Sequence, residues 1–155
     1  MEYQTIHPGD AQIFHALLNE YYREGEDADT PQEQMDGFIQ FLFEKVAQGQ
    51  IQGCFAQAGE EYAGFFLWAL DTPDFPFSQM PGWGTILEIG LRPTYRSRGY
   101  GKEMVRSIQQ AMVIQGIHRC YVSAYGPAQS FWARCGFVEN GMTADNGLPI
   151  MTKEL

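Results

Sequence analysis

The stretch Glu88-Ile89-Gly90-Leu91-Arg92-Pro93-Thr94-Tyr95-Arg96-Ser97-Arg98-Gly99-Tyr100-Gly101-Lys102 reads as a strand, a turn rich in arginine and glycine, and the first turn of a helix. The strand rests on the apolar run Ile86, Leu87, Ile89 and Leu91, with turn signals on both sides. Pro93 ends it, because proline donates nothing to a ladder and restricts Arg92 before it. Beyond Gly101, apolar residues fall at Met104, Val105, Ile108, Ala111 and Met112, which is helical spacing. The turn has a physical use. The first N–H groups of a helix have no partner within it, and the helix dipole places partial positive charge there. Glycines at 99 and 101 let an anion approach that backbone, and Arg96, Arg98 and Lys102 add charge around it.

Working outward toward the N-terminus, Tyr3 to His7 suits a short strand broken by Pro8-Gly9. Asp10 is placed to cap a helix through Tyr22, with Ile13, Phe14, Leu17, Leu18 and Tyr21 on its apolar face. Thr30-Pro31-Gln32-Glu33 is a helix-start signature, with Thr30 as cap. That helix runs to about Gln48, with Phe38, Leu42 and Val46 among its apolar positions. Ile51–Gln57 and Glu61–Leu70 read as strands joined by the turn Ala58-Gly59-Glu60. The second of them is apolar enough to be central in a sheet. Asp71 to Gly84 is a proline-bearing loop whose Phe75, Phe77, Met80 and Trp83 either pack back on the core or line a site.

Toward the C-terminus, the helix 99–115 ends at Gly116, and Arg119–Ala124 is the next strand. A short helix, Ala128–Cys135, leads into strand Phe137–Met142, the turn Asp145-Asn146-Gly147 and a final strand, Leu148–Leu155. The order predicts an α/β chain (α+β in some schemes) with a mixed sheet and helices on both faces.

At 155 residues the chain is expected to form one domain, 1–155. No apolar run approaches the ~20 residues of a spanning helix, and the first residues lack a secretory pattern. Cys54, Cys120 and Cys135 are odd in number and have no metal-ligand spacing, so they read as reduced packing thiols in a cytoplasmic protein. His7, His15 and His118 are scattered, and no metal site is expected. The net charge of −9 disfavours nucleic acid as a partner. Its distribution says more. Arg92, Arg96, Arg98, Lys102 and Arg106 supply five of the ten cationic side chains. Glu20, Glu24, Glu26, Asp27, Asp29, Glu33 and Asp36 form an acidic segment with only Arg23 among them. One cationic locus and one acidic segment suit an anionic cofactor and a cationic substrate; the acidic run is equally what a solvated loop would carry.

Arg96-x-x-Gly99-x-Gly101, preceded by Leu91-x-Pro93, resembles the Arg/Gln-x-x-Gly-x-Gly/Ala signature of the GNAT superfamily of acyl-CoA-dependent N-acyltransferases. Ala128-Gln129-Ser130-Phe131-Trp132-Ala133-Arg134-Cys135-Gly136-Phe137 is similar to that family's later motif, Asn-x-x-Ala-x-x-hydrophobic-Tyr-x-x-x-Gly-Phe. The two lie in the family's order and at its usual separation, and the predicted elements match along nearly the whole chain. The resemblance implies a mostly antiparallel central sheet in which two parallel strands, here Ile86–Leu91 and Arg119–Ala124, splay apart around the pantetheine arm of acetyl-CoA or coenzyme A. It implies that Ile89, Gly90 and Leu91 pair with that arm, that Arg96, Ser97, Arg98, Gly99, Tyr100, Gly101 and Lys102 hold the pyrophosphate, and that Phe131 and Trp132 lie near the cofactor.

The implied reaction moves an acetyl group to a primary amine, a small cationic or amino-acid-like molecule, with peptide and protein amines as further acceptors. Glu88, just before the donors on its strand, is the candidate base; the other reading is a strand-edge carboxylate with no chemical role. Tyr21, Glu24 and Trp83 are candidate acceptor-binding residues. The sequence departs from the family at the general acid. Trp132 occupies the usual tyrosine position, where indole N–H is too weak an acid, and packs against either the pantetheine arm or the core. Tyr125 stands where the motif has Asn; it is the candidate acid if a helix through 132 extends back to it, which Gly126-Pro127 opposes. The alternative to an enzyme is an acyl-CoA-binding sensor or interaction module. A homodimer is left open.

Overall fold

The computed structural model describes residues 1–25 and 27–155; Glu26, one member of the acidic segment, lies outside the described residues. The described residues form seven strands and four α-helices, in the order β1 (Glu2–Thr5), α1 (Ala11–Glu24), α2 (Gln32–Ala47), β2 (Gln52–Ala58), β3 (Glu61–Leu70), β4 (Gly84–Leu91), α3 (Tyr100–Ile114), β5 (Arg119–Ser123), α4 (Gln129–Arg134), β6 (Val138–Thr143) and β7 (Pro149–Glu154). The strands hydrogen-bond in the order β1-β2-β3-β4-β5-β7-β6. The sheet is mostly antiparallel. Its parallel pair is β4 with β5, in register from Gly84 opposite Cys120 to Thr85 opposite Tyr121.

The chain divides into two compact units, one of residues 1–67 and 88–101, the other of residues 68–87 and 102–155. In the first, α1 buries Phe14, Leu17, Leu18 and Tyr22, and α2 buries Met35, Ile39, Leu42 and Phe43. Spacings of three, four, seven and eight put each set on one helix face. Fully burying such side chains contributes about 2 kcal/mol each. The rings of Phe14 and Phe43 meet at 5.1 Å. Both faces are rotated slightly from the sequence reading. Tyr22 joins the buried stripe of α1 and Tyr21 is half-buried; in α2 Phe38 is exposed and Ile39 takes the core position. The adjacent pairs Tyr21-Tyr22 and Phe38-Ile39 leave the exact stripe ambiguous by one residue.

Asp10 is the N-cap residue of α1, as expected, whereas Thr30 is not that of α2. Asp10 does not cap α1 with its side chain; its Oδ2 accepts the His7 N–H at 2.8 Å and closes a one-turn 3-10 helix over Pro8–Asp10. Thr30 makes no side-chain cap either. Pro31 is the N-cap residue of α2, in extended backbone, and the Pro31 carbonyl accepts the Met35 N–H at 3.0 Å. Arg23 organises the connection instead, donating to the carbonyls of Ala28 at 3.1 Å and Thr30 at 2.5 Å.

In the second unit α3 buries Met104, Val105, Ile108 and Met112. The loop before β4 is held by one buried carboxylate. Asp71 is fully buried, and its Oδ2 accepts the N–H groups of Gln79 at 2.9 Å and Met80 at 2.8 Å and the Tyr121 O–H at 2.6 Å. The loop aromatics are therefore packing residues. Phe75 is buried with its ring edge-on to Phe77, and Met80 and Trp83 pack on Tyr121, Ala144 and Ile150.

Burial alone would raise the Asp71 carboxyl, but the donors from Ser78, Tyr121, Met80 and Gln79 outweigh it and hold its pKa below the ordinary aspartate value. A depressed carboxyl contributes stability above its unfolded pKa, and that contribution is lost as pH falls through the folded pKa. Asp71→Asn is expected to unfold about 3 kcal/mol more easily at pH 7, with the gap to wild type narrowing below about pH 4. Denaturant titrations across pH read both quantities; a gap that stays constant to pH 2.5 would contradict it.

Candidate functional site

The end of β4 is shaped by two glycines. A β-carbon on Gly64 would overlap the carbonyl oxygen of Gly90 and lie 3.0 Å from its carbonyl carbon; one on Gly90 would lie 2.5 Å from the Phe65 ring. Only a hydrogen at each position allows β3 and β4 to approach this closely. Immediately beyond, the Arg92 N–H donates to the Ala63 carbonyl at 2.8 Å, and the ladder ends at Pro93. Glu88 is half-buried on this strand, two residues before Gly90, and its Oε1 accepts the O–H of Tyr22 at 3.0 Å.

The turn after β4 is a 3-10 helix over Pro93–Tyr95, with the Tyr95 N–H donating to the Arg92 carbonyl at 2.9 Å and the Tyr95 O–H bonded to the Glu61 carboxylate. Arg96 then clamps the loop. Its Nε donates to the Leu91 carbonyl at 2.8 Å and its other arm pairs with Glu24 at 2.7 Å. Ser97 has φ +60° and Gly99 φ +85°. Left-handed residues interspersed with ordinary backbone turn neighbouring N–H groups toward one side, a concave anion-binding arrangement, and α3 begins at Tyr100 directly after it. Arg98 and Lys102 are exposed and, among the described residues, neither is in an ion pair. The loop thus has backbone donors, a helix N-terminus and two uncommitted cations, a set that fits a diphosphate.

The cationic locus and the acidic segment are not separate. Arg92 forms a two-pronged pair with Glu20, Nε to Oε2 and Nη2 to Oε1, both at 2.9 Å, and its Nη1 donates to the Tyr62 carbonyl at 3.1 Å. With Arg96–Glu24, this sets residues four apart on α1 against residues four apart in the β4 turn. Asp36, further along the acidic segment, is also partnered, at 2.7 Å from His15. Tyr21 and Glu24 line a shallow depression with Gly64, Phe65, Gly90 and Leu91, so the structure brings two of the three candidate acceptor residues beside the cofactor-strand residues. Trp83, the third, has packing contacts in the other unit, where the Arg119 guanidinium lies 5.3 Å from its ring.

Tyr125 and Trp132 do not share a helix face. Tyr125 precedes a 3-10 turn over Gly126–Ala128, and α4 begins only at Gln129, because Pro127 fits a helix start and interrupts a helix interior. Tyr125 is exposed. Trp132 is 9 % exposed and its ring meets Phe137 at 5.3 Å and Phe131 at 5.1 Å, contacts that support core packing. Tyr22 was not among the residues singled out by sequence; in a helix with adjacent tyrosines, nothing in the spacing marks the second as the partner of a strand 66 positions away.

Ser97 holds a backbone conformation that costs a non-glycine residue roughly 1 kcal/mol. Ser97→Gly is expected to raise stability by about 0.5 kcal/mol, seen as a slightly higher denaturation midpoint; a fall of 1 kcal/mol or more would show that the serine side chain secures the loop.

The profile of the Acetyltransferase (GNAT) family matches residues 11–137. No curated protein sequence matches the chain. Among solved structures, the fold is similar to the PaiA N-acetyltransferase of Thermoplasma acidophilum in complex with coenzyme A, with TM-score 0.76 and 18 % identity over 99 % of this chain and 98 % of that one. A GCN5-related N-acetyltransferase from Ralstonia eutropha JMP134 gives TM-score 0.76 and 22 % identity, covering 93 % and 96 % of the two chains. A GNAT-family acetyltransferase from Listeria monocytogenes gives 0.73 and 13 %, covering 99 % and 94 %. With the family profile spanning most of its length and the strand order, loop and helix start in place, the chain belongs to the GNAT acetyltransferase family.

Proposed function

We propose that this chain is an N-acetyltransferase that moves an acetyl group from acetyl-CoA to the primary amine of a small molecule. The observation that carries the reading is the left-handed turn at Ser97 and Gly99 leading into α3, flanked by Arg98 and Lys102. The backbone N–H groups of residues 97–102 and those two cations would hold the diphosphate, while Arg96 keeps the loop fixed to β4. Ile89, Gly90 and Leu91 would present backbone donors and acceptors to the pantetheine arm. When bound, acetyl-CoA supplies an activated acyl carbon and a thiolate leaving group.

The chain's own residues supply the rest. An amine attacks only as the free base, so a group must accept its proton; Glu88, half-buried and held by Tyr22, takes that role. A β4 backbone N–H stabilises negative charge developing on the acyl oxygen. Tyr21 and Glu24 hold the acceptor. Because Glu20 and Glu24 are balanced by Arg92 and Arg96, recognition of a cationic amine rests on the Tyr21 ring face as much as on carboxylate charge. In this reading residues 1–155 act as one catalytic domain in the cytoplasm, on small molecules rather than nucleic acid or membrane.

The burial of Trp132 where the family motif has tyrosine favours a second reading, an acyl-CoA-binding module with little turnover. Thiol release from acetyl-CoA against a panel of amines separates the two. Amine-dependent release by wild type is expected, with Glu88→Gln lowering kcat about 100-fold and leaving coenzyme A affinity unchanged. Tight cofactor binding without release to any amine would favour the binding module. If Tyr125→Phe turns over like wild type, water rather than that phenol protonates the thiolate.

A further inference from the structure

Building on the assignment of Glu88 as base, we infer that Tyr22 is its positioning residue: the phenol of α1 fixes the orientation of the β4 carboxylate and holds it in the ionised form. Tyr22 donates to Glu88 Oε1 at 3.0 Å from a side chain only 6 % exposed. Its ring has little freedom. Tyr21 stacks on it at 5.3 Å with planes 18° apart, and Phe38 of α2 meets it edge-on at 5.7 Å. The helix carrying it is held on both sides, by Glu20 to Arg92 and by Glu24 to Arg96, so residues 20, 22 and 24 of α1 engage residues 92, 88 and 96.

The chemistry follows from which partner keeps its proton. Burial, and then the charge of Glu88, push the Tyr22 phenol well above its ordinary pKa, so it is an O–H donor around neutral pH. A hydrogen-bond donor facing a carboxylate favours its charged form over its neutral one. Among the described residues, Tyr21 beside it on α1 and Asp27 in the following turn also act on this phenol, and both disfavour its ionisation. Tyr22 does not touch the acceptor in this scheme; it acts through Glu88.

The test compares wild type, Tyr22→Phe and Glu88→Gln in thiol release with one amine from pH 6 to 10, so that the acceptor's own titration cancels. Phenylalanine keeps the ring contacts and removes only the donor. Tyr22→Phe is expected to bind coenzyme A like wild type, to lose about tenfold in kcat, and to move the acidic limb of kcat/KM upward by about one pH unit. Replacing Tyr22 with 3-fluorotyrosine, which keeps ring and donor but makes the O–H more acidic, is expected to move that limb downward, and it serves where the phenylalanine variant does not fold. A limb that stays in place in the folded variants overturns the role of Tyr22. Wild-type kcat in Glu88→Gln overturns the base assignment itself, whatever Tyr22 does.

Discussion

The carbonyl of Gly90 occupies the space that a side chain at position 64 would fill. That steric condition sets how closely β3 and β4 approach, and the features of the site in this unit are placed from it. With the backbone at 90 fixed, the Arg92 N–H reaches the Ala63 carbonyl and its guanidinium reaches the Tyr62 carbonyl. The Leu91 carbonyl is then left for Arg96, whose side chain returns to it and closes the loop. Two residues earlier on the same strand, Glu88 lies where Tyr22 of α1 can meet it.

Electrostatics divides the cations of this region by task. Arg92 and Arg96 are structural, each tied to a main-chain carbonyl and to a glutamate of α1. Both ion pairs are substantially solvent-exposed, so their worth is well under what a buried pair would give. Their effect is on geometry, since two pairs spaced alike leave α1 one register on the strand. Arg98 and Lys102 are in no ion pair among the described residues, and in the proposed reading they are the charges that meet the diphosphate. A net charge of −9 is compatible with an anion site here, because Glu20 and Glu24 of α1 are matched by Arg92 and Arg96.

The fold was legible where the signal is local. Pro93 ending a strand, Gly99 and Gly101 before a helical repeat, and the apolar run of β3 each restrict the backbone on their own, and the strands and helices lie where those residues put them. The cap of α1 was legible in position but not in bonding, since the Asp10 carboxylate turns back to the His7 N–H, and the cap of α2 falls on Pro31 rather than Thr30. At the candidate site, the turn itself was readable from glycine and proline, whereas partners separated by tens of residues were not. Charge alone marks Glu24 but not its pairing with Arg96, and aromaticity alone marks Trp83 but not its packing against Tyr121, Ala144 and Ile150. Ser97 in left-handed backbone carries no sequence signal, since serine there is permitted rather than favoured.

The central claim is that the loop 96–102 is a diphosphate site and that most cofactor affinity originates there. Calorimetric titration with coenzyme A and, separately, with pantetheine, which lacks the adenosine and all three phosphates, tests it most directly. Coenzyme A is expected to bind with micromolar affinity that weakens as salt is raised, and pantetheine to show no heat at millimolar concentration. Equal affinity for the two ligands, or coenzyme A binding that is indifferent to salt, would contradict the assignment of the loop.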